Sequence, residues 1–211
     1  MCRSEEDKKA GFKTIFLDRD GTINEEVNYL HRPEDLKLLP GAAEAIRLWN
    51  EHGFQVVVVT NQAGVARGYY EERDVEQLHR YMNQILEPEG AHIDRFYYCP
   101  HHPEHGIGRY KVKCHCRKPE TGMFEAAQAD RAVDKEHSYM IGDKWLDTQA
   151  GARFGIHTAL VGTGYGRELY RQFAEEAGRT VTGDAAHPME FFGETLLDVA
   201  MWTLRREGIK L

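Results

Sequence analysis

Short apolar runs alternate with amphipathic stretches along this chain. Thr14 to Leu17 is mostly apolar and ends at Asp18-Arg19-Asp20-Gly21, so a buried strand should stop there, with Gly21 turning the chain free of a Cβ penalty. From Gly41 to Asn50, Ala42, Ala45, Ile46 and Trp49 recur at helical spacing, closed by Gly53. Phe54 to Val59 is β-branched and almost wholly apolar, as a central parallel strand covered on both faces should be, and it runs into Thr60-Asn61-Gln62. Val75, Leu78, Tyr81, Met82 and Ile85 predict a helix over 71–86, ended by Pro88-Glu89-Gly90. Further strands are predicted at 93–99, 138–143 and 158–161, and further helices at 122–132 and 147–154. The pattern weakens beyond Arg167, where Thr180 to Thr182 reads as an edge strand and Glu190 to Arg206 as a covering helix.

Strands alternating with helices predict an α/β fold with a doubly wound, Rossmann-like parallel sheet, whose ligands bind beyond the carboxyl ends of the strands. Asp18 and Asp20, Thr60 and Asn61, and Asp143 all fall at such ends. The loop from Asn24 to Pro33, with Asn28, Tyr29 and His31, is placed to fold over them.

With 211 residues and 41% hydrophobic content, one sizeable core and a single domain over 1–211 are expected. The net charge of -7 argues against nucleic-acid binding, so an anionic ligand would need a local basic pocket. No apolar run approaches the roughly 20 residues of a membrane span, and the first nine residues are too charged for a signal peptide. A cytoplasmic location without membrane contact is the default, and so is a monomer, since no apolar band demands a partner.

Asp18 and Asp20 leave an extended backbone on one face, and two such charges are relieved by a divalent cation or a proton. The plain alternative is a solvated Asp-Gly turn. Of the cysteines at 2, 99, 114 and 116, the last three share a histidine-rich stretch, which in a reducing compartment favours metal over disulfide. Cys99-x-His101 followed by Cys114-x-Cys116 offers three sulfurs and an imidazole, a full tetrahedral shell for structural zinc. His102, His105 and His115 are rival fourth ligands.

Four ordered segments, Asp18-x-Asp20-Gly21-Thr22, Val58-Val59-Thr60-Asn61, Arg117-Lys118-Pro119 and Gly142-Asp143-Lys144-x-x-Asp147, resemble the motifs of the haloacid dehalogenase superfamily. The resemblance implies Asp18 as nucleophile and Asp20 as acid/base on a flexible turn. It implies Thr60 and Lys118 on the phosphoryl oxygens, and magnesium held by Asp18, Asp143 and the backbone carbonyl of Asp20. Asp147 is expected as a helix-surface or supporting acid as readily as a ligand. Larger relatives carry a cap domain where the 99–116 loop stands, so a minimal cap is expected here, and His101 is the preferred fourth zinc ligand.

With the zinc loop placed before Arg117-Lys118, the likeness is closest to the bacterial D-glycero-D-manno-heptose 1,7-bisphosphate 7-phosphatase family. It covers most of residues 12 to 165. Cys116 directly precedes Arg117-Lys118, so zinc would fix both cations at the rim of the phosphate site. That likeness implies that Arg117 reads the second phosphate or the sugar through its bidentate fork, with Asn28, Tyr29, Asn61, Gln62 and Lys144 as further substrate-binding residues. The chief rival is a histidinol-phosphate phosphatase. A 3′-phosphatase of nucleic-acid end repair shares the acid motif but conflicts with the net charge, and a zinc-loop binding module without catalysis would leave the aspartates as turn residues.

Overall fold

The structure is a computed structural model that describes residues 11–177 and 183–210. Six strands form one all-parallel sheet: β1 (Thr14–Leu17), β2 (Gln55–Asn61), β3 (Arg95–Cys99), β4 (Tyr139–Gly142), β5 (His157–Val161) and β6 (Phe191–Gly193). Their order is β3-β2-β1-β4-β5-β6, so β1 lies inside with β2 and β4 beside it. The helices are α1 (Ala42–Glu51), α2 (Ala63–Ala66), α3 (Glu72–Leu86), α4 (Gly122–Asp130), α5 (Trp145–Phe154), α6 (Gly166–Ala177) and α7 (Leu196–Arg206).

The strands read as continuous apolar runs because both faces are covered. Ile15, Leu17, Val56, Val58 and Ile141 point into one core with Trp49 of α1 and Leu78 of α3. Phe16, Val57, Val59 and Met140 alternate into a second core with Phe124 of α4 and Phe154 of α5. Phe16 is fully buried between the rings of Phe124 and Phe154, so Phe16→Ala should cost about 3–5 kcal/mol. The register sets Leu17 beside Val58 and Ile141, which brings the residues just after β1 and β4 to the same level.

The predicted boundaries differ most at the C-terminal end. The helix expected from Glu190 begins only at Leu196, because Phe191–Gly193 is extended and pairs with β5, and Phe191 stacks on Trp202 at 5.0 Å. Thr195 then starts the helix: its hydroxyl accepts from Asp198 N at 3.2 Å, while Asp198 Oδ2 accepts from Thr195 N at 2.9 Å. The expected strand at Thr180–Thr182 lies outside the described residues. Helix α6, which the weak pattern after Arg167 left unassigned, buries Phe173 against Leu160 and Met189.

Between β3 and α4 runs a loop whose only helical turn is the 3-10 segment Gly108–Tyr110. Among the described residues no helix is long and apolar enough to cross a membrane.

Candidate active site

Three consecutive places in the sheet deliver polar groups to one edge. Asp18 follows β1, Thr60 lies near the end of β2, and Asp143 follows β4. Asp147 joins them from the first turn of α5. Carboxylate oxygens of Asp18, Asp143 and Asp147 lie within 4.8 Å of one another, all three buried. Lys118 Nζ sits between two of them, 2.8 Å from Asp18 Oδ1 and 2.6 Å from Asp147 Oδ1.

Asp147 is therefore neither a surface acid nor free. Its 0% exposure reflects its place under the site, where Oδ2 also accepts from Lys144 N at 3.1 Å. The helical spacing that suggested a surface position is overridden because the first turn of α5 packs against β4; a Cβ on Gly142 would strike the Asp147 side chain.

Burial pushes the Asp18 carboxyl up, but the Lys118 and Lys144 cations outweigh it and bring it below its ordinary range. Burial, then the Asp18 and Asp147 charges, push Asp143 up to about 7. Burial likewise raises Asp147 to about 6, with Lys118 opposing. Lys118 loses stability as a cation through burial, yet Asp147 and Asp18 more than restore it and raise its pKa. The crowd of acids is thus short of positive charge. Its donors are all oxygen, which suits a hard divalent cation such as magnesium. Asp18, Asp143 and Asp147 all bring buried carboxylate oxygens to this cluster, with Asp147 Oδ1 2.6 Å from Lys118 Nζ and its Oδ2 accepting from Lys144 N.

The turn after β1 leaves no room above Asp143. Gly21 has φ +82, and a Cβ there, or on Gly164, would run into the Asp143 carboxylate. Thr163 Oγ1 donates to Gly21 O at 2.7 Å, and Tyr165 N donates to Asp143 Oδ2 at 3.0 Å, which fixes that acid from the loop after β5.

The Asp20 carboxylate is hydrogen-bonded on both oxygens. Arg19 grips it with Nε to Oδ1 at 3.1 Å and NH2 to Oδ2 at 2.8 Å, while Asn24 Nδ2 and Gln62 Nε2 add bonds of 3.0 and 3.2 Å. Three residues thus supply side-chain donors to the acid that follows β1.

The cavity over these groups has a volume of about 360 Å³ and brings together Asn28, Tyr29, Thr60, Asn61, Gln62, Arg117, Lys118 and Lys144 with Asp18 and Asp20. Within it the predicted substrate-binding residues divide. Asn61 spends its amide on the chain itself: Oδ1 accepts from Lys118 N at 3.0 Å and Nδ2 donates to Lys118 O at 3.1 Å. Gln62 is nearly buried, donating to Thr60 Oγ1 at 2.9 Å and accepting from Tyr70 OH at 2.7 Å. Tyr29 stands exposed at the rim with φ 59, its ring edge-on to Tyr69 at 4.6 Å. Arg117 NH1 donates to His101 O at 3.1 Å, and no carboxylate pairs with it among the described residues. Lys144 Nζ lies 3.1 Å from Glu26 Oε2 and 3.3 Å from Asp143 Oδ1. Glu26, Tyr70, Tyr165 and Arg19 were not singled out in the sequence. Arg19 alone carried a signal there, a cation set between two acids at the end of an apolar run.

Beside the cavity, ligand atoms of Cys99, His101, Cys114 and Cys116 fall within 4.8 Å of one another. His101 Nδ1 is 3.8 Å from Cys99 Sγ and 3.6 Å from Cys116 Sγ, and all three thiols are free of disulfides. The rivals are elsewhere engaged: His115 Nε2 pairs with Glu125 at 2.9 Å, and His102 Nδ1 accepts from the amides of Glu104 and His105. Three soft sulfurs and one imidazole form a closed set that fits a tetrahedral metal ion.

A HAD-hydrolase-like family model matches residues 115–186. The D-glycero-beta-D-manno-heptose-1,7-bisphosphate 7-phosphatase of Haemophilus ducreyi is 44% identical over 156 residues, 73% of this chain and 85% of that protein. The D-glycero-alpha-D-manno-heptose-1,7-bisphosphate 7-phosphatase of Burkholderia mallei is 46% identical over 149 residues, 71% of this chain and 79% of that one. The crystal structure of a D,D-heptose 1,7-bisphosphate phosphatase from B. bronchiseptica, complexed with magnesium and phosphate, superposes with a TM-score of 0.78 at 31% identity, covering 92% of this chain and 99% of that one. With relatives this similar over more than two thirds of its length, the chain belongs to the haloacid dehalogenase superfamily of hydrolases, in the branch of the heptose-bisphosphate phosphatases.

Proposed function

We propose that the chain is a phosphoric monoester hydrolase that removes the C7 phosphate of D-glycero-D-manno-heptose 1,7-bisphosphate through an aspartyl-phosphate on Asp18. The observation that carries the reading is the meeting of Asp18, Lys118 and Asp143 at one sheet edge beneath a polar cavity. Relatives named for both anomers of that sugar support the substrate class.

Asp18, held by Lys118 and lining the cavity, presents an ionised carboxylate for attack on phosphorus. As the Asp18–phosphorus bond forms and the bond to the sugar oxygen breaks, Asp20 gives that oxygen its proton. In the second half Asp20 takes a proton from the water that displaces Asp18. Thr60 and Lys118 donate to the equatorial oxygens as their charge redistributes. Magnesium, held by Asp18, Asp143 and the Asp20 carbonyl, supplies the positive charge that lets a carboxylate approach a phosphate dianion. Asp147 holds Lys118 in line rather than binding the ion.

Arg117, a guanidinium without a carboxylate partner at the cavity wall, suits the phosphate that does not react. The Cys99, His101, Cys114 and Cys116 set holds a structural zinc in this reading. The chain acts as one domain with a minimal cap, a cytoplasmic monomer working on a small molecule without nucleic acid or membrane.

Phosphate release is to be compared on heptose 1,7-bisphosphate, fructose 1,6-bisphosphate and histidinol phosphate. The heptose substrate should lead by at least about tenfold in kcat/KM, the worth of one well-placed charged contact. A lead for histidinol phosphate overturns the substrate, and absence of magnesium-dependent release from all three overturns the reaction.

A further inference from the structure

Among the described residues, Arg19 is the second largest of the side chains that the fold buries completely, and the only lysine or arginine at 0% exposure. A guanidinium removed from water is costly unless every donor finds a partner. Nε and NH2 make the fork to Asp20 at 3.1 and 2.8 Å. NH2 also reaches Leu30 O and Gln62 Oε1, both at 3.3 Å. NH1 turns the other way, to His79 Nε2 at 3.4 Å. His79 is itself buried, its ring stacked on Phe96 at 4.4 Å. Burial, then the Arg19 charge, hold the imidazole far below its usual pKa, so it is neutral and can accept from NH1.

A flexible arginine gripped at both ends has one orientation. Asp20 inherits it, since its two oxygens receive four side-chain donors, two of them from Arg19. We propose that Arg19 is the positioning residue for Asp20, aiming the carboxyl at the leaving oxygen, and that His79, on α3 and outside the cavity lining, completes the clamp from behind. This rests on the reading of Asp20 as the acid/base group. It gives a purpose to a buried cation that neither binds the metal nor lines the cavity.

The test uses the leaving group. A sugar oxygen departs as a strongly basic alkoxide and needs the Asp20 proton, whereas p-nitrophenyl phosphate releases a weakly basic phenolate that does not. kcat/KM covers the steps up to that departure. Arg19→Lys should lower kcat/KM on the sugar bisphosphate by ~100-fold, the scale of a misplaced catalytic group, and on p-nitrophenyl phosphate by less than about threefold. His79→Leu should show the same unequal loss to a smaller degree, and His79→Gln, which keeps an acceptor, should restore the sugar substrate. Equal losses on both substrates mean that Arg19 and His79 serve packing alone and overturn the inference. If Arg19→Lys does not fold, the His79 pair decides by the same criterion. Asp20→Asn separates the two ideas: an equal loss there removes Asp20 as the acid, whereas an unequal loss there with equal losses at Arg19 and His79 removes only the clamp.

Discussion

Two clusters of ligand atoms, each within 4.8 Å, are built in opposite ways in this molecule. Asp18 comes from a segment remote in sequence from the one that carries Asp143 and Asp147, and they meet only when β1 and β4 pair. Their like charges are tolerated because Lys118 arrives from a further segment and Lys144 stands beside Asp143 in the chain. Cys99, His101, Cys114 and Cys116 instead come from one short stretch and need little beyond the end of β3 to anchor them. The first cluster is a product of the fold. The second is confined to its own loop, which meets the site through the Arg117 bond to His101 O.

The contrast breaks most sharply at Asp18. Asp18→Ala should abolish turnover, by roughly 10⁴-fold or more, while circular dichroism and zinc content stay at wild-type values. Turnover near normal would take away its role as nucleophile. The opposite outcome is expected from Cys114→Ser with Cys116→Ser. Metal analysis should fall from about one zinc per chain toward none, and the thermal midpoint should drop by roughly 5–10 °C, a few kcal/mol. Full metal content in that protein would overturn the assignment.

The smallest effect sharpens the electrostatic half of the comparison. Asp143 titrates at about 7 and Asp147 at about 6, both raised, so below those values protons occupy acids that magnesium must share or approach. Magnesium affinity should therefore rise with pH up to about 7, by up to about tenfold per unit below that value for one displaced proton, and level off above it. Calorimetry of the metal-free protein checks this, and an affinity flat across that range would contradict the crowding of the carboxylates.

The apolar runs of β1, β2 and β4 were legible because strands covered on both faces carry their burial in every residue. The polar groups at their ends were legible for the same reason, as abrupt breaks in those runs. The thiol cluster was legible because its spacing is local. Asp147 was not, since helical periodicity cannot show that the first turn of α5 faces β4 and Lys118. Nor could Asn61 be read as a clasp on Lys118, a contact between residues 57 apart. At the C-terminal end, Phe191–Gly193 was absorbed into a predicted helix because three residues are too few to show a strand period, and only pairing with β5 fixes them.

The Asn61 clasp has an outcome of its own. Because β2 moors the backbone of Lys118 on both its N–H and its C=O, that cation keeps its place whatever length of chain precedes it. Arg117, tied instead to His101 O, travels with the inserted loop. On the proposed reading, the cation that reads the second phosphate and the cation that serves the transfer are mounted on different supports. Exchanging residues 100–115 for a relative's should then change the preferred sugar bisphosphate more than the rate on p-nitrophenyl phosphate.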